Sequence, residues 1–138
     1  MEYAILTSAL ALMLTGTDGA VRDLPQSVAK AQVAAAQAAR RVGVPATGAR
    51  RAVTTAPAPH RRPALRYLYA LGWVAAQKDK VTCAFVRVSG GDVRSVARRE
   101  FRRVKGMAAA LRRAKVTEAQ AVNAFDAGFR AGCVAQTA

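Results

Sequence analysis

The sequence predicts a mainly α fold: a small helical domain of three to four helices with one β-strand, carrying a basic, Pro/Ala/Arg-rich extended arm. Three observations predict it. Apolar residues recur at helical spacing through the second half of the chain. One short run, VTCAFVRVS, is β-branched and alternating. A central stretch, VPATGARRAVTTAPAPHRRP, holds four prolines and no acid. At 138 residues the chain suffices for one hydrophobic core and no second ordinary domain. It divides into an N-terminal apolar segment with an Ala/Gln-rich helix (1–43), the arm (44–63) and a helical core domain (64–138).

The run Ala4–Leu14 would form a helix of about 16 Å, half the thickness of a bilayer core, so it cannot span alone. No Lys or Arg precedes it and Gly19-Ala20 is a poor cleavage site. It reads first as a packed helix, ahead of a membrane-associated or export segment. Asp23 and Pro25 then open a helix that stops at Gly43. Rich in Ala and Gln, that helix has little to bury and needs a partner to stay ordered.

The arm follows. Between Asp23 and Asp79 no acid occurs, while Lys30, Arg40-Arg41, Arg50-Arg51, Arg61-Arg62, Arg66 and Lys78 are basic. Such composition suits a segment lying along a polyanion.

Pro63 starts the central helix, whose Leu65, Leu68, Tyr69 and Trp73 face one side and Tyr67, Leu71 and Val74 the other. Residues 81–88 read as a strand. A lone strand needs a partner, so it predicts pairing with the arm, a second copy of the chain or another subunit. Gly90-Gly91 turns the chain and Asp92 caps a long helix to about Lys115. Its apolar face carries Val93, Val96, Ala97, Phe101, Val104, Met107, Ala108 and Leu111. Glu100 falls inside that face and calls for a cation from a packed element: Arg66, Arg87 or Arg130. Thr117 and Gln120 form a capping box for a last helix, where Val122, Phe125, Phe129 and Cys133 share a face and Gly128 and Gly132 admit a close neighbour.

Charge carries the functional reading. There are 22 Lys+Arg against 8 Asp+Glu, a net charge of +14, with 17 of the cations Arg. Arg contacts phosphate bidentately, although a GC-rich coding sequence also enriches it. Residues 92–115 alone hold nine basic residues against two acids. On a helical wheel Arg94, Arg98, Arg102, Lys105, Arg112 and Arg113 cluster beside the apolar face, without acids at helical spacings that would satisfy them. With Arg50, Arg51, Arg61 and Arg62 of the arm they are the candidate nucleic-acid-binding residues.

Catalysis is not indicated. His60, the one histidine, sits among prolines and arginines, and no phosphate loop, dinucleotide fingerprint or carboxylate pair occurs. Ser89-Gly90-Gly91 could hold a phosphate at a helix start, but Asp92 occupies the anion's place, so it reads as a turn. Cys83 and Cys133 have no metal or redox spacing and read as buried thiols of a reducing compartment, with a single disulfide only in an exported chain. No cofactor or metal is expected.

The expected function is non-catalytic binding of nucleic acid, through its phosphate backbone, or of another polyanion. The chain would be a structural subunit among neighbouring protein subunits in a ribosome-like, nucleoid or virion assembly. The alternative is an accessory subunit of a membrane or organellar complex, its N-terminal segment at the membrane. The expected location is intracellular (cytoplasm, organelle matrix or virus particle), with export and membrane contact not favoured.

Overall fold

The computed structural model describes residues 46–103 and 107–135. The run Ala4–Leu14, the helix expected before Gly43 and Lys105 lie outside them. Among the described residues are six α-helices, α1 (Ala46–Thr54), α2 (Pro63–Lys78), α3 (Lys80–Ser89), α4 (Arg94–Arg103), α5 (Met107–Arg113) and α6 (Glu118–Ala135), with a 3-10 turn at Ala58–His60. No strand occurs among them.

The central element is α2, as its all-round apolar pattern predicts. Pro63 takes its first turn, where a missing N–H costs nothing, and Leu68, Leu71, Tyr67, Val74 and Ala75 are almost wholly buried. Its main partner is α6, and glycine permits the approach. A Cβ built on Gly72 would stand 2.1 Å from the Phe125 carbonyl oxygen, and one on Gly128 would stand 1.9 Å from that of Tyr69. The two backbones therefore touch where any side chain would hold them apart. Phe125 lies edge-on to Phe101 of α4, ring centroids 5.7 Å apart, and brings that helix onto the same core. The expected capping box opens α6: Thr117 Oγ1 accepts from the Gln120 N–H at 3.1 Å, and Gln120 Oε1 from the Thr117 N–H at 3.0 Å.

Two expectations of backbone structure are corrected. Residues 81–88 form a helix, not a strand, so pairing of a second copy through a strand there has no basis. Asp79 accepts the Thr82 N–H at 2.9 Å and its hydroxyl at 2.6 Å, which fixes the first turn. Gly90, at φ +67°, ends the helix in the left-handed region, its N–H returning to Val86 O at 2.9 Å. Two strong caps with Thr82, Cys83 and Val86 buried at helical spacing override the β-branched propensity. Nor is an extended arm seen over the described part of 44–63. Residues 46–54 are α1, and Ala52 and Val53 are buried in the core.

Cys83 and Cys133 are not free thiols: they form a disulfide between α3 and α6, Cα atoms 5.3 Å apart. Their sequence separation of 50 hides this pairing from a linear reading.

Candidate polyanion-binding surface

Five carboxylates lie among the described residues, and each is engaged. Asp79 caps α3. Asp126, 1% exposed, accepts the Val93 N–H at 3.0 Å and pairs with Arg130 at 3.0 Å. Glu100 is buried as expected, but its cations come from its own helix: Arg103 at 3.3 Å and Arg99 at 3.6 Å. Arg66, Arg87 and Arg130 do not supply them. The carboxylate tolerates burial because two guanidinium groups reach it from the surface.

The remaining two acids engage candidate residues. Asp92 accepts the Arg94 N–H at 3.0 Å, capping α4, and its other oxygen meets the Arg94 guanidinium at 2.7 Å. Those hydrogen bonds hold the Asp92 carboxyl below the ordinary carboxylate range. Glu118, at the start of α6, accepts from Arg102 at 2.9 and 3.0 Å and lies 3.3 Å from Arg98. Arg102 chiefly lowers its pKa. For Arg98 and Arg102 the acid partner absent at helical spacing thus arrives from another helix, a distance no wheel displays.

The other candidates stand differently. Arg50 and Arg51 are exposed on α1, Arg61 and Arg62 after the 3-10 turn, and Arg112 and Arg113 at the end of α5. Arg62 donates through Nη2 to the Ala114 carbonyl, joining the 61–62 pair to the end of α5 across fifty-two residues of sequence. That end is closed by a Schellman arrangement: Val116 N–H to Leu111 O at 2.9 Å and Lys115 N–H to Arg112 O at 3.0 Å. Lys115 therefore sits at φ +57°, where glycine would cost less. Arg62 thus stands against the end of α5, where Arg112, Arg113 and Lys115 follow one another closely in sequence with exposed side chains, cations that the negative end of the helix favours in part. Arg61, Arg112 and Lys115 meet no acid among the described residues. Sequence reasoning missed Lys115, whose signal was only its place directly after a helix end.

His60 is half-buried, its ring 6.0 Å from that of Tyr69, and burial pushes its pKa down. No group of three His, Cys, Asp or Glu able to hold a metal occurs among the described residues. No described helix is long and apolar enough to cross a membrane. Comparison with protein-family models, curated proteins and solved structures finds no match.

Proposed function

We propose that this chain is a non-catalytic protein that binds the phosphate backbone of nucleic acid, or another polyanion, as a structural subunit of a larger assembly. The observation that carries this reading is the cluster around the end of α5. Cations from two distant segments meet there, Arg61 and Arg112 without an acid partner among the described residues, and a lysine holds a left-handed position. Unpaired, exposed guanidinium groups gain most from phosphate, because they give up no existing ion pair to bind it. Arg94, Arg98 and Arg102 would join only by leaving Asp92 and Glu118. The cluster is thus the primary contact, and the α4 face is secondary.

The Cys83–Cys133 disulfide suits a particle that matures or persists outside a reducing cytosol, such as a virion or a cell-surface assembly.

Paired substitutions test the division. On duplex DNA, Arg61→Gln with Arg112→Gln should lower the slope of log K against log salt by roughly 0.9 for each phosphate no longer neutralised. Arg98→Gln with Arg102→Gln should lower it less, since Glu118 already engages both. A larger effect from the second pair would reverse the assignment.

A further inference from the structure

Every arginine of α4 meets a carboxylate. Arg94 meets Asp92 at 2.7 Å, Arg99 and Arg103 share Glu100 at 3.6 and 3.3 Å, and Arg98 and Arg102 share Glu118 at 3.3 and 2.9 Å. The three acids differ in what else they do. Glu100 is held in the core, its side chain 4% exposed. Asp92 accepts the Arg94 N–H and so fixes the first turn of α4. Glu118 has neither duty: its side chain is 37% exposed, and Thr117 and Gln120 cap the start of α6 without it.

The form of the Glu118 contact also sets it apart. Its two oxygens accept from Nε and Nη2 of Arg102 at 3.0 and 2.9 Å, the parallel pair of donors that a guanidinium offers to a phosphate. An exposed pair of this kind contributes little to stability, so it exchanges readily. Arg102 and Arg98 stay 67% and 43% exposed within it, open to an incoming anion.

We propose that Glu118 is an internal substitute for phosphate: it closes the Arg98–Arg102 pair until a polyanion docked at the end of α5 displaces it. This rests on the polyanion-binding reading. The chain itself supplies the coupling. Lys115 lies three residues before Glu118, so their Cα atoms are at most about 11 Å apart. Duplex nucleic acid carries one charge for every ~1.7 Å of its axis, so a duplex held at Lys115 sets further phosphates within the same span. They repel the Glu118 carboxylate and offer Arg98 and Arg102 an equivalent partner at high local concentration.

The salt dependence of duplex DNA binding by the full, oxidised chain tests this in a cycle of four proteins. These are the parent, Glu118→Gln, Arg98→Gln with Arg102→Gln, and all three substitutions together, each checked for helicity by circular dichroism. Glu118→Gln should bind about three- to tenfold more tightly at low salt, the equivalent of releasing one or two exposed ion pairs. With Glu118 replaced, the two arginines should add roughly 0.9 to the slope of log K against log salt for each phosphate they meet, more than they add in the parent. The gain should vanish when Arg98 and Arg102 are already replaced. A gain that persists without them is an effect of net charge alone and would overturn the proposal. Equal affinity of Glu118→Gln and the parent would overturn it too, while a steep salt dependence of the parent would leave the polyanion-binding reading standing. Absence of binding by both proteins would overturn both.

Discussion

A single methyl group decides whether α2 and α6 can meet. Alanine is normally better than glycine inside a helix by about 1 kcal/mol, so Gly128→Ala would stabilise an unencumbered helix. Here the new Cβ would fall 1.9 Å from the Tyr69 carbonyl oxygen, which belongs to rigid backbone. The sign should reverse, with a drop in stability of about 1–3 kcal/mol in chemical denaturation. A gain would mean that the two helices are not in backbone contact. The spacing of Gly128 and Gly132 announces this approach in the sequence, whereas Gly72 carries no such mark because its partner, Phe125, is remote along the chain. Lys115 is similar: its conformation follows from how α5 ends, which residue type alone would assign to glycine.

Among the elements, α3 is the instructive one. Val81, Val86 and Val88 have strand propensity, yet Asp79 and Gly90 cap the segment at both ends and the disulfide binds its buried face to α6. Caps are local, and those at Asp92, Thr117 and Gln120 are readable in the sequence. Asp79 is hidden by its double role, closing α2 through its N–H and opening α3 through its carboxylate. Only Thr82, Cys83 and Val86 of α3 are buried, so the bridge is its principal anchor. Closing a loop of this length contributes about 4 kcal/mol in the chain-entropy view. Reduction should therefore lower global stability by about 2–4 kcal/mol and release α3 amides to hydrogen exchange before those of α2. Uniform exchange across both helices after reduction would contradict this.

At the scale of the whole molecule, the charge excess is plain from composition, but its division is not. Wheel geometry groups Arg94, Arg98 and Arg102 on one side of a helix, and cannot see Glu118 arriving from α6 to meet Arg98 and Arg102. It also separates Arg61 and Arg62 from Arg112 and Arg113, which the hydrogen bond to Ala114 joins. The helical core is readable because it rests on periodicity and caps; the cluster is not, because it rests on tertiary contact. The most direct test is the salt dependence of binding by the full, oxidised chain to two duplexes of unrelated sequence. Affinity should fall steeply with salt and with the same slope for both, because phosphate neutralisation releases counterions without reading bases. No measurable affinity for either duplex at low salt, or affinity indifferent to salt, would contradict a phosphate-binding role.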